Sequence, residues 1–192
     1  MMGPLIILSG PSGSGKSTIA SRLLAMPDLR LRQSISVTTR SPRIGEMDGK
    51  NYFFLTREEF EAKRAANEFL EWARVHDHYY ATPKRMVEEL RRQGFAVMLV
   101  IDVQGAGQVR RVCPDNVSIF LRTSTPEMLE QRLRNRHTED EAAIQRRLAD
   151  ARAELARAGE FTHQVLNDDL ERAVNDVRSI ILNLSREGSN AR

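Results

Sequence analysis

Leu5-Ile6-Ile7-Leu8, followed one residue later by Gly10-Pro11-Ser12-Gly13-Ser14-Gly15-Lys16-Ser17-Thr18, joins an all-apolar run to a glycine-rich turn. Such a run suits a strand buried on both faces of a parallel sheet, and the turn after it predicts a helix beginning near Lys16. The nine residues satisfy G-x-x-x-x-G-K-[ST] in the strand-to-helix context that the pattern requires. Its glycines let successive backbone N–H groups face phosphate oxygens, and the helix start adds partial positive charge. Lys16 then reaches the β- and γ-phosphates, while the Ser17 hydroxyl is placed for Mg²⁺. An ordinary glycine-rich turn needs neither that lysine nor that hydroxyl. Residues Gly10, Pro11, Ser12, Gly13, Ser14, Gly15, Lys16, Ser17 and Thr18 are therefore the expected triphosphate-binding loop, with Ser17 the metal candidate. Binding a nucleoside triphosphate does not yet imply phosphoryl transfer.

Outward from this loop, apolar runs at Ala96–Ile101 and Val117–Leu121 predict two more buried strands, each followed by a helical pattern, and a last short strand covers His163–Leu166. The alternation argues for an α/β protein, a P-loop three-layer fold around a central parallel sheet. Thr56 with Glu59 forms a capping box, and Thr82-Pro83 and Thr125-Pro126 read as caps before a proline at the first helical position. Residues 36–92 interrupt the alternation with a turn-rich, aromatic segment, read as an inserted α+β subdomain. Residues 127–157 are rich in Arg and Glu and break near Arg136-His137-Thr138, as two helices joined by a turn. The remaining pieces, 1–35, 93–126 and 158–192, make the core.

The length, 192 residues, suits one domain of this kind. A single cysteine, Cys113, allows no internal disulfide, and no Cys/His spacing suggests a metal site. The N-terminus has no signal-peptide pattern, and the longest apolar run, Phe95–Ile101, is too short to span a bilayer, so a soluble cytoplasmic protein is expected. The net charge of +3 is spread over helices of alternating sign, and no nucleic-acid-binding module is present. Nothing in the chain sets an oligomeric state.

Ser34-Ile35-Ser36-Val37-Thr38-Thr39-Arg40-Ser41-Pro42-Arg43, continued by Gly45-Glu46, Asp48-Gly49 and Tyr52-Phe53-Phe54, places two arginines and a tyrosine in a polar loop. By itself this is either a second anion site or a solvated basic loop. Together with the phosphate loop, with E-F-L-E-W-A, Y-Y-A-T, I-D-V-Q-G-A and R-L-R-N-R, with a later R-R-L and with V-L-N-D-D-L, it makes the chain resemble guanylate kinases over nearly its whole length. The resemblance implies a core, a GMP-binding subdomain over 36–92 and a lid over 127–157, transferring the γ-phosphoryl group of ATP to GMP or dGMP with Mg²⁺. It implies that Arg40, Arg43, Tyr52 and Tyr80 hold the GMP phosphate, and that Ser36, Glu71, Thr82 and Asp102 surround guanine and its ribose. Arg132, Arg136 and Arg147 match lid arginines, with Lys16 completing the catalytic set, and Asn167 matches a residue approaching the adenine of ATP.

The chemistry agrees with these roles. Guanine presents N1–H and an amine side by side, which one carboxylate can accept together, whereas adenine would leave that carboxylate unpaired. Ser36 and Thr82 can donate to guanine O6. Position alone leaves Glu71 as readily a surface residue beside Trp72, Asn167 as readily a turn residue before Asp168-Asp169, and the arginines of 127–157 as readily a water-facing row. Transfer itself asks for fixed cations and exclusion of water, not a nucleophilic side chain. Two other functions stay open: the same fold acting on another phosphorylated acceptor, and a non-catalytic binding module, against which the intact phosphate loop argues. Val100 stands where the family often has aspartate, Ala81 where it has glycine, and His137 where glycine is common.

Overall fold

The computed structural model describes residues 2–75, 77–135 and 141–190, the last six through their backbone. Its first sheet is wholly parallel, in the order β2 (Leu31–Gln33), β7 (Ala96–Val100), β1 (Leu5–Ser9), β8 (Val117–Arg122), β9 (His163–Leu166). Every residue of β1 is buried. Because side chains alternate along a strand, Ile6 and Leu8 enter one apolar cluster, with Ile19 and Leu23 of α1 (Lys16–Leu24) and Val174 and Val177 of α7 (Leu170–Asn190). Leu5 and Ile7 enter another, with Val87 of α3 (Lys84–Arg92) and Val103, Ala106 and Val109 of α4 (Val103–Val112). Each fully buried aliphatic side chain contributes about 1.5–3 kcal/mol, so the continuous apolar run is what seats β1 between two helical layers. Its neighbours β7 and β8 lie on opposite sides, which leaves a crevice at the carboxyl ends of the strands, where the phosphate loop begins. Among the described residues no helix is long and apolar enough to cross a membrane.

The second sheet has the order β4 (Phe53–Phe54), β3 (Val37–Thr38), β6 (His78–Pro83), β5 (Phe69–Val75), with a small core of Val37, Phe60, Phe69 and Ala81. Ala81 occupies an ordinary strand position opposite Val37. The capping box at Thr56 and Glu59 starts α2 (Arg57–Ala65), and Thr125 caps α5 (Pro126–Arg134) by accepting from the Met128 N–H at 3.3 Å. α5 packs on α6 (Glu141–Leu155) through Leu133, Ile144 and Leu148.

One strand went unforeseen and one expectation is corrected. Strand β2, three residues at the sheet edge with exposed Arg32 and Gln33, carried no apolar run to announce it. Thr82 is not a helix cap: β6 runs through Pro83, which is itself the N-cap of α3, and the Thr82 hydroxyl bonds a buried carboxylate instead. Arg136, His137 and His76 lie outside the described residues. α5 ends at Arg134, with Asn135 as its C-cap.

Candidate active site

At the phosphate loop, Gly15 has φ +94°, which turns the chain into α1, and a side chain there would collide with the Asn167 amide. Asn167, just beyond β9, is buried and donates through Nδ2 to the Ser14 carbonyl at 2.7 Å, so it fixes the loop from below. Arg132 of α5 donates through Nη2 to the Asn167 carbonyl at 2.7 Å. The start of α1 has no side-chain cap, which leaves its N–H groups directed at the loop. Lys16 Nζ donates to the carbonyls of Gly10 (2.5 Å) and Pro11 (3.1 Å), folding its charge over the loop. Ser17, exposed in the first helical turn, and Ser14, whose buried hydroxyl meets no partner among the described residues, offer hard oxygen atoms that fit Mg²⁺ better than a softer metal.

A cleft of about 600 Å³ leads from Gly10, Ser12 and Lys16 to the second sheet. Of the residues expected for the acceptor, Ser36, Arg43, Tyr52, Glu71, Tyr80 and Asp102 line it; Arg40 and Thr82 stand behind this lining. Arg40 bonds Glu46 at 2.9 Å and lies 5.5 Å from the centre of the Tyr52 ring, whose partner Tyr80 is 6.0 Å away edge-on. Glu46 also accepts from the Arg43 N–H at 2.8 Å. The hydrogen bond to Arg40 holds the Glu46 carboxyl below its ordinary range, and burial pushes the Tyr52 phenol up. Glu46, not singled out from the sequence, thus ties the Arg40 side chain to the Arg43 backbone beside the cleft.

Along β5, Glu71 and Ala73 are buried on the face toward α4 and Trp72 is turned to the other, where Arg64 stacks on its indole at 4.8 Å, while an irregularity between Phe69 and Glu71 sends Phe69 to the Phe60 side. Glu71 is therefore no surface residue: 5% of it is exposed, and Thr82 Oγ1 donates to its Oε1 at 2.6 Å. That single hydroxyl hydrogen points at Glu71, so contact with guanine O6 requires the Thr82 hydroxyl to turn. Strand β5 is held against α4 by Gln108, which accepts from the Trp72 N–H at 3.2 Å and donates to the Trp72 carbonyl at 2.6 Å. Asp102 caps α4, accepting through Oδ1 from the N–H groups of Gln104 (2.6 Å) and Gly105 (3.0 Å). Gly105 faces Glu71 so closely that an added Cβ would strike the Glu71 carboxylate. Gly105→Ala should favour the helix locally yet displace that carboxylate, lowering kcat/KM for a guanine acceptor on the order of 10²-fold. Affinity for the triphosphate, measured by calorimetry, should be unchanged.

Burial raises the Glu71 carboxyl to about 7; the Thr82 hydroxyl opposes the rise and the Asp102 charge adds to it. For folding, a carboxyl raised in this way stabilises the native chain fully below its ordinary value of 4.5, and the contribution is lost as pH rises through about 7. For the guanine-accepting role that the resemblance implies, the sign is opposite, because N1–H and the amine would need the charged acceptor. Below pH about 7, kcat/KM for a guanine acceptor should fall about tenfold per unit beyond the titration of the acceptor phosphate, and Glu71→Gln should abolish that extra acid limb.

Helix α6 forms another wall, with Arg147, Asp150 and Glu154 lining the cleft and Arg157 just beyond its end. Arg147 Nη1 approaches Ser12 Oγ at 3.4 Å, joining this helix to the phosphate loop. Burial pushes the Glu154 carboxyl to about 7, against the pull of Lys16 and with the added repulsion of Asp102 and Asp150. Neither Glu154 nor Gly105 stood out in the sequence; a helical spacing of seven from Arg147, by way of Asp150, was the available signal for Glu154.

The guanylate kinase family model matches residues 2–184. The guanylate kinase of Rickettsia bellii is 48% identical over 180 residues, 94% of each chain. That of Caldanaerobacter subterraneus is 47% identical over 181 residues, covering 94% of this chain and 87% of the other. The crystal structure of guanylate kinase from Anaplasma phagocytophilum superimposes with a TM-score of 0.79 at 31% identity, over 95% of this chain and 86% of its own.

Proposed function

The chain belongs to the guanylate kinase family, and we propose that it transfers the γ-phosphoryl group of ATP to GMP and dGMP within the cleft between the phosphate loop and the second sheet, giving ADP and GDP or dGDP. The observation that carries this reading is the buried carboxylate of Glu71 in the same cleft as Lys16. One end is built for a triphosphate, and the other holds an acceptor matched to the donor edge of guanine.

Residues 36–92 form the acceptor-binding part, 127–157 the lid, and the remaining segments the core. Gly10 to Thr18 wrap the donor phosphates, and Lys16 leaves the loop carbonyls to bind the β- and γ-phosphates. Asn167 supports the loop at the adenine end. Arg40, Arg43, Tyr52 and Tyr80 orient the acceptor phosphate, Glu71 accepts from guanine, and Ser36, Thr82 and Asp102 complete the nucleoside pocket. An acceptor phosphate oxygen is already a nucleophile, so no general base is needed; positioning and charge stabilisation dominate. Arg147 on α6 and Arg132 on α5 bring positive charge toward the transfer end, with Arg136 expected to join them. Ser17 would hold Mg²⁺ together with nucleotide oxygens and water; when bound, the ion neutralises charge on the donor phosphates. The cytoplasm, where ATP and GMP are available, suits a chain whose one cysteine, Cys113, is a free thiol.

A coupled assay with MgATP and GMP, dGMP, AMP or UMP offered separately tests this function. Turnover of GMP and dGMP is expected. Comparable kcat/KM for AMP would overturn the guanine assignment, and no turnover of any monophosphate would favour a binding module.

A further inference from the structure

Among the carboxylates of the cleft, Glu154 has an oxygen, Oε2, that is enclosed by protein and meets no hydrogen-bond partner among the described residues. An ionised oxygen in that position is destabilising unless a donor or cation arrives. The adjacent Arg157 does not serve: its Nε and Nη2 are held by Glu160 at 2.7 and 3.0 Å. Two other carboxylates of the cleft are engaged differently, Glu71 with Thr82 and Asp102 as the cap of α4. The end of β7, on the same cleft, contributes apolar Val100. Glu154 lies within electrostatic reach of Lys16, toward the triphosphate end. A carboxylate there repels the incoming phosphates unless a divalent cation stands between them.

We propose that Glu154 is a positioning residue for the transfer step: its carboxylate, at the wall of the cleft, turns to accept hydrogen bonds from the water shell of the Mg²⁺ that accompanies ATP, satisfying the oxygen left unpaired and supplying from α6 a carboxylate that the Val100 end of β7 lacks. This rests on the kinase reading of the cleft. It ties metal capture to the helix that also carries Arg147, so that the cation and the transfer-end arginine arrive on one rigid element.

The test is binding, not turnover. Affinity for a non-hydrolysable ATP analogue is measured by calorimetry while free Mg²⁺ is varied, for the wild type, Glu154→Gln, Glu154→Asp and the double variant Val100→Asp with Glu154→Gln. Glu154→Gln should need about tenfold more Mg²⁺ for half of the metal-dependent gain in affinity, as expected when an outer hydrogen-bond partner of a metal site is lost. Its affinity without Mg²⁺ should equal or exceed the wild type, because the repelling charge is gone, Glu154→Asp should lie in between in its Mg²⁺ requirement, and Val100→Asp should restore the wild-type requirement. The isosteric Gln change removes a partly buried charge, so melting of the ligand-free variant should match or exceed wild type; if the double variant does not fold, the two single variants decide. An unchanged Mg²⁺ requirement in Glu154→Gln overturns the proposal. So does an affinity loss of equal size with and without Mg²⁺, which would mean that Glu154 acts on Lys16 or the loop. Because binding is read directly, failure of the monophosphate assay would reject the kinase reading without obscuring this outcome.

Discussion

Lys16→Ala lowers kcat for transfer from ATP to GMP by about 10²–10³-fold or more, the scale for removing a fixed charge that meets the transition state. GMP affinity should stay within about twofold of wild type, because Lys16 contacts the phosphate loop, through the carbonyls of Gly10 and Pro11, while the acceptor clamp is anchored on the second sheet. The loop should also survive the change. Gly15 keeps its turn and Asn167 still holds the Ser14 carbonyl. Steady-state kinetics with both substrates varied, beside calorimetry with GMP alone, separates the two effects. Parallel loss of GMP affinity and turnover would show that the ends of the cleft are not independent sites.

Glu71→Ala should reduce kcat/KM for GMP by about 2–4 kcal/mol, roughly 30- to 1,000-fold, the range for losing charged hydrogen bonds in a desolvated pocket. Activity with AMP, which cannot donate from N1, should change far less, so the ratio of the two substrates is the informative quantity. The variant leaves the Thr82 hydroxyl without its 2.6 Å partner, and part of the lost activity can come from a shifted β5. Glu71→Gln separates these causes: it preserves size and its one oxygen can still accept from Thr82, but it then meets the guanine donors with an amide NH2 that cannot accept. A loss as large as that of Glu71→Ala assigns the effect to charge on the base reader. Full activity in Glu71→Gln would remove Glu71 from the recognition of guanine.

The two residues differ in how readily their settings could be read from the chain. Lys16 belongs to nine consecutive residues whose conformation is set by glycine backbone freedom and by the start of a helix, both local properties. The same holds for β1, β7 and β8, whose apolar runs are long enough to require burial on two faces. Thr56 and Thr125 were legible as caps because the bonds they make span three residues. Thr82 carried the same local signal before Pro83, and a partner eleven residues away prevailed. A buried carboxylate offers its hydroxyl a stronger bond than a helix terminus open to water.

The chain by itself determined the α/β core, the phosphate loop and the list of polar residues available to an acceptor, because contiguous burial, turn geometry and capping act over a few neighbouring residues. Only the tertiary structure decided what those polar residues face. Glu71 is a buried carboxyl pushed upward in pKa and not a surface glutamate because Gly105 and Gln108, more than thirty positions away along the chain, bring α4 against β5. Glu154 has an unsatisfied oxygen because α6 folds its charge toward Lys16 and away from water. Charge state and hydrogen-bond supply depend on the dielectric and on neighbours gathered from distant segments, and those exist only once the layers have packed.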